Sequence, residues 1–214
     1  MSQELEGQHR LILIGPQGSG KGTQAELLSV YLQIPTISTG QLCRSEIEHG
    51  TELGKKIEQW VRGGELVPDD VITAMLKKRI ADYDAQDGFI LDGFPRTVAQ
   101  AEASESWMRP TKVIVLEIND KVAVARMTSR RACTQCRFKT TAEYVAKHGD
   151  ECPRCFGKIV QRDDDSPEVI QTRLDMYHRV TQPVINFYRD RDECERFNGA
   201  LSIPLVFMEI AHVL

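Results

Sequence analysis

Residues Gly15-Pro16-Gln17-Gly18-Ser19-Gly20-Lys21-Gly22-Thr23 have the composition of a loop that holds phosphate. Glycines let backbone N–H groups approach phosphate oxygens, and a helix that starts at the loop adds the positive end of its dipole. Lys21 can reach the terminal phosphates of a nucleotide, and the Thr23 hydroxyl can meet a phosphate or its metal. A flexible surface loop is the plainer alternative. Against it stand the apolar run Arg10–Ile14 before the loop and Ala25, Leu28 and Leu32 on one helical face after it. Together they supply the strand–turn–helix setting that phosphate binding requires.

A second cluster is Cys133-x2-Cys136 followed, after fifteen intervening residues, by Cys152-x2-Cys155. Each pair can present two sulfurs to one tetrahedral ion, which is the pattern of a structural zinc site. Two disulfides, another metal or free thiols are the alternatives, and a reducing compartment disfavours the disulfides. His148 could substitute as a ligand, although four cysteines already fill the shell. A closed four-sulfur shell leaves no position for substrate, so such a metal would hold structure and do no chemistry. The surrounding stretch 130–165 is too polar to build a core of its own, and metal binding would supply the missing folding energy. Cys43 and Cys194 read as buried thiols.

The arginines Arg44, Arg96, Arg126, Arg130, Arg162 and Arg173 are scattered, and an isolated arginine is ordinarily a solvated surface group. Arg96 stands apart because Gly93 and Pro95 shape a turn that presents it at the end of the apolar strand Phe89–Leu91. Arg126 precedes Arg130 by one helical turn and can project toward the same side. Arg131 suits a solvated or salt-bridging role as readily as a phosphate contact. Asp92 ends the same strand and, read locally, is a turn or capping carboxylate. Thr97 and Gln100 have the spacing of a capping box.

These groups must be positioned by a framework, and the chain alternates strands with helices. Helices are expected from Asp69 to about Asp82, for about ten residues from Asp120, and from Pro167 to Asp190, the last bent or split at Pro183. Val113–Ile118 reads as a central parallel strand, and Glu195–Phe197 and Leu205–Phe207 as the final strands. The class is α/β, a mostly parallel sheet with helices on both faces. With 214 residues, 41% of them hydrophobic, the chain can bury a substantial core. Its formal net charge of -4 gives no global basic signature for nucleic acid. Asp150, Glu151 and Asp163–Asp165 also argue against a zinc-ribbon nucleic-acid module. No early apolar stretch resembles a signal peptide and none is long enough to span a bilayer, so a soluble cytoplasmic protein without membrane partners is the expectation.

Gly22 separates Lys21 from Thr23, unlike the simplest phosphate-loop form, and this spacing resembles that of the adenylate kinase family. The resemblance spans nearly the whole chain. It includes Ser38-Thr39-Gly40-Gln41-Leu42-Cys43-Arg44, Gly64-Glu65-Leu66-Val67-Pro68-Asp69, Asp92-Gly93-Phe94-Pro95-Arg96-Thr97 with Gln100, Ser129-Arg130-Arg131, and Arg162-Asp163-Asp164-Asp165. The cysteine-bearing stretch is similar to the zinc-bearing lid of the bacterial long-lid form. Gln41 and Ser129 stand where the family often has aspartate and glycine, and Asn198-Gly199 resembles its adenine-side turn.

The resemblance implies the phosphate-loop nucleoside-monophosphate kinase fold, divided into core with phosphate loop (1–37), acceptor-binding insertion (38–67), core (68–129), zinc-bearing lid (130–165) and core (166–214). It implies reversible, Mg²⁺-dependent phosphoryl transfer from ATP to AMP giving ADP, by a monomer. ATP would contact Gly18, Ser19, Gly20, Lys21, Gly22, Thr23, Arg126 and Arg130. AMP would contact Thr39, Arg44, Glu65, Leu66, Val67, Gly93, Arg96, Gln100, Arg162 and Arg173, with Gln100 reading the adenine edge. Lys21, Arg96, Arg130, Arg162 and Arg173 would serve the transfer, Asp92 would hold the water shell of Mg²⁺, and Cys133, Cys136, Cys152 and Cys155 would bind structural Zn²⁺. A nucleoside-monophosphate kinase with another acceptor or donor, or an inactive nucleotide-binding regulator, is the alternative.

Overall fold

The computed structural model describes residues 9–189, 191 and 194–214. Strands β1 (His9–Ile14), β2 (Thr36–Ser38), β3 (Gly88–Asp92) and β4 (Lys112–Glu117) lie parallel in one sheet. β5 (Arg130–Cys133), β6 (Lys139–Thr141) and β7 (Ile159–Val160) form a separate antiparallel sheet, and β8 (Cys194–Asn198) completes the first. The parallel order is β2-β3-β1-β4-β8, with Leu11 of β1 set between Ile90 and Lys112.

Alternation along the strands explains the layers. Side chains at successive strand positions point to opposite faces. Ile12, Ile14, Leu91, Val113 and Val115 join one buried cluster, and Leu11, Leu13, Ile90, Ile114 and Leu116 join another. Helices α1 (Lys21–Leu32) and α10 (Ile203–His212) cover the second face through Ala25, Leu28, Val206 and Ile210. The first face is covered from α2 (Thr39–Glu48), α3 (Glu52–Gly63), α4 (Asp69–Ile80) and α5 (Val98–Ser104), through Cys43, Ile57, Leu76 and Ala101. α6 (Asp120–Ser129) leads into the small sheet, α7 (Ala142–His148) packs on it, and α8 (Pro167–Met176) returns the chain to the core. α9 (Gln182–Arg189) adds Val184, Ile185 and Tyr188 to the first face.

Two expectations are corrected. Leu205–Phe207 is not a strand but part of α10, where Val206 and Ile210, one turn apart, bury against α1 and Pro204 occupies the first turn. Three apolar residues cannot by themselves distinguish the two periods. The helix expected from Pro167 is split, as expected, beside Pro183, into α8, a π turn at Tyr177–Thr181 and α9. Pro183 has no N–H and its ring crowds the carbonyl four residues back, so the regular ladder gives way on its N-terminal side. The expected last residue of that helix, Asp190, lies outside the described residues. Cys194 is half-buried, against the expectation of a buried thiol, and packs at the edge of the first core cluster. Among the described residues, no helix is long and apolar enough to cross a membrane.

Candidate active site

β1 sits between β3 and β4, so the chain leaves it at the point where successive strands are laid down to either side. A crevice opens at the carboxyl ends of strands at such a position. The glycine-rich loop occupies it. Gly20, at φ 98°, takes the left-handed conformation that turns the loop into α1. Lys21 folds back across the loop and its Nζ donates to the carbonyls of Gly15 at 2.6 Å and Pro16 at 2.8 Å. Burial pushes its pKa down to about 8; Arg96, Arg173 and Arg130 push the same way and Asp92 opposes them.

The loop forms the floor of a cleft of about 710 Å³. Gly18, Ser19, Gly20, Lys21, Gly22 and Thr23 all line it, as do Asp92, Arg126, Arg130 and Arg162. Arg126 donates to the carbonyls of Gly199 at 2.7 Å and Gly18 at 3.2 Å, tying the loop to the turn after β8. Arg131 turns away from the cleft, donating to the carbonyls of Thr128 and Arg130.

A second, smaller pocket is lined by Thr39, Arg44, Glu65, Leu66, Val67, Gly93, Arg96, Gln100 and Arg173. The two cavities share Gly40, Arg44, Gly93, Arg96 and Arg173 as a common wall. Thr39 and Arg96 both donate to the Gly93 carbonyl at 2.8 Å, which fixes the start of α2 against the end of β3. Gln100 accepts from the Arg96 N–H at 2.7 Å and donates to Asp69 at 2.6 Å, while its own N–H caps onto Thr97. Half of the capping box therefore forms, through the Gln100 N–H, while the Gln100 side chain takes its place in the pocket. Free space in this pocket is only about 60 Å³. Ligand pockets run to roughly 300 Å³ or more, so α2 and α3 must yield before a nucleotide enters.

The arginines converge on the acidic turn between β7 and α8. Asp164 receives both arms of Arg162, one at 2.7 Å, and lies 3.3 Å from Arg173 and 3.7 Å from Arg44. Asp165, fully buried, takes Arg130 at 2.8 and 2.5 Å. Burial works against the Asp164 charge, but Arg162, Arg173 and Arg44 more than offset it and hold its carboxyl well below the usual range. Burial also opposes the Arg162 charge, and Asp164 reverses the balance and raises its pKa. Arg44 and Arg173 are pushed down by burial and then by neighbouring guanidinium groups, and Arg96 by burial. Guanidinium groups stay protonated under such stress. A wall of crowded, dehydrated cations with too few carboxylates is chemically suited to an anion.

Asp69, Asp164 and Asp165 hold Gln100, Arg162 and Arg130, and Lys139 lines the large cleft; none of the four was given a role from sequence, although the three aspartates lie within the quoted motifs. The run Asp163–Asp165 marked the segment but not its convergence with four arginines, and Lys139 gave no signal at all. Arg162 lines the large cleft and reaches the small pocket only through Asp164.

The four clustered cysteines bring their sulfurs within 4.8 Å of one another. Cys133 and Cys155 are 3.4 Å apart, and the Gln135 N–H points at the Cys133 sulfur from 3.4 Å. Ile159, Phe138, Tyr144 and Val145 pack around them, a small apolar cluster in a stretch expected to have no core. The group can hold a metal ion.

The family model described as Adenylate kinase matches residues 13–193. The chain is similar to an adenylate kinase of Moorella thermoacetica, 42% identical over 96% of this chain and 97% of the relative. An adenylate kinase of Methanosarcina mazei is 42% identical over 95% and 97%. One of Clostridium botulinum is 38% identical over 96% and 98%.

Proposed function

The chain belongs to the adenylate kinase family, and from that premise we propose that it moves the γ-phosphoryl group of ATP to AMP, reversibly giving two ADP. The observation that carries this reading is the shared wall. A donor cleft floored by a phosphate loop and a second, narrower recess meet at Arg44, Arg96 and Arg173.

In the transfer, an oxygen of the AMP phosphate bonds to the γ-phosphorus of ATP. The bond from that phosphorus to the β–γ bridging oxygen breaks, and its electron pair leaves on ADP. The attacking atom is already an anionic oxygen, so no general base is needed. The difficulty is bringing two anions together, and positioning with charge stabilisation is the remedy. Lys21 steadies the phosphate chain from the loop. Arg96 and Arg44 hold the AMP phosphate, while Arg130, Arg162 and Arg173 attend the group in flight. Thr39, Glu65, Leu66, Val67, Gly93 and Gln100 line the acceptor side, and Arg126 flanks the donor base. Gln100 can offer adenine both a donor and an acceptor once it leaves Asp69 and the Arg96 N–H.

Mg²⁺ bound with ATP would neutralise phosphate charge, and Asp92, a carboxylate on the donor cleft, would hold its water shell. The four-sulfur set suits tetrahedral Zn²⁺, held as a structural ion. The same reading divides the chain into core (1–37, 68–129, 166–214), acceptor arm (38–67) and lid (130–165). It includes a monomer working in the cytoplasm, where thiolates stay reduced. A coupled assay with ATP and each of AMP, CMP, UMP and GMP tests it: AMP should be turned over fastest, and a preference for CMP or UMP would overturn the named acceptor.

A further inference from the structure

Lys139 stands on β6, in the small sheet beside the cysteine cluster, yet its ammonium lies on the phosphate loop. Nζ donates to the Gly22 carbonyl at 3.2 Å and to Glu26 at 2.6 Å, both on α1. The approach is close because Gly22 has no side chain in the way. A β-carbon there would come within 2.9 Å of Lys139 Nζ and 3.2 Å of Asp92 Oδ2, so one gap accommodates both groups. Lys139 also lines the large cleft together with Lys21, Arg130 and Thr140. Its partner Glu26 is exposed, as is Lys139 itself. An ion pair between two exposed, hydrated side chains holds weakly.

We propose that Lys139 is a further contact of the lid with the donor phosphate chain, beside Arg130 and Arg162, parked on Glu26 until the nucleotide arrives. A triphosphate in the cleft carries several anionic oxygens within reach of the gap beside Gly22. It outcompetes a single hydrated carboxylate for the ammonium. The exchange moves no proton and breaks no covalent bond. It draws β6 down only when phosphate is present, so lid closure reads the phosphate chain directly. This inference rests on the phosphotransfer reading for the identity of the donor, but not for the anion chemistry.

The test compares Lys139→Met, which keeps the aliphatic stem, with Glu26→Gln. Lys139→Met should raise KM for ATP about tenfold, the worth of one charge-assisted hydrogen bond, and leave KM for AMP unchanged. Lys139→Arg should restore most of the loss. Glu26→Gln should leave KM for ATP unchanged or lower it, because it releases the lysine. If Lys139 merely latched the lid to α1, both variants would break the same pair and shift KM for ATP in the same direction, which would overturn the proposal. Calorimetric titration with inorganic tripolyphosphate gives a readout without turnover, and Lys139→Met should weaken it about tenfold. Unchanged tripolyphosphate affinity would also overturn the proposal. A parent chain that makes no ADP from ATP and AMP would count against the phosphotransfer reading alone, since the tripolyphosphate titration still decides Lys139.

Discussion

Lys21 and Asp164 carry charge under opposite stresses. Burial depresses Lys21 to about 8 in the free protein, whereas a bound phosphate favours its protonated form. Binding and protonation are then linked: ATP affinity should fall as pH rises through about 8, and binding near pH 8.5 should take up protons. Titrating ATP at that pH in buffers of different ionisation enthalpy measures the uptake. Lys21→Met should abolish it and lower turnover about a hundredfold or more; a parent that binds ATP with no uptake contradicts the assignment. Asp164 is the reverse case. Its folded pKa is depressed by Arg162, Arg173 and Arg44 against the cost of burial. The stability it contributes is therefore complete above the unfolded carboxylate value, roughly 3.9, and is lost as pH falls below it. Asp164→Asn should cost about 3 kcal/mol near neutrality, because three guanidinium groups lose their shared partner. Its melting temperature should then decline less than the parent's between about pH 5 and about pH 3. Equal declines in both proteins would show that Asp164 is not the titrating group.

Elements differ in how far sequence specified them. The β1–loop–α1 unit was readable because each residue votes the same way: apolar run, glycines, lysine, then an apolar helical face. The cysteine pairs were readable by spacing alone, and their sulfurs do meet. Leu205–Phe207 misled because three apolar residues suit either period, and only packing of Val206 and Ile210 on α1 decides for helix. β2, three residues long, has no pattern to detect and exists because β3 offers it an edge. Asp164 and Lys139 were hidden for another reason. Their roles arise where segments far apart in the chain converge, and local pattern carries no trace of that. At the small sheet, Cys133→Ser should release the metal and loosen β5–β7 while β1 and β4 stay intact. Metal analysis should fall from one zinc per chain to near zero, with a lower melting temperature and lost amide protection confined to 130–165. Unchanged zinc and melting would contradict a structural four-thiolate site.

At the scale of the molecule, three bodies of contact meet around one charged wall. β6 reaches α1 through Lys139 and Glu26, the stretch beyond β5 reaches α2 through Arg137 and Glu48 at 2.5 Å, and the acidic turn reaches α2 through Asp164 and Arg44. With only about 60 Å³ free beside Arg96, entry of the acceptor must part some of these contacts, and re-forming them shuts out water. Closure of that kind serves an enzyme whose competing reaction is transfer to water. The most direct measurement is therefore the phosphate balance. Purified protein with Mg²⁺, ATP and AMP should form two ADP for each AMP consumed, with almost no free phosphate and almost no ADP when AMP is withheld. ADP and free phosphate appearing in equal amounts whether or not AMP is present would contradict the account, because the cleft would then pass its phosphoryl group to water.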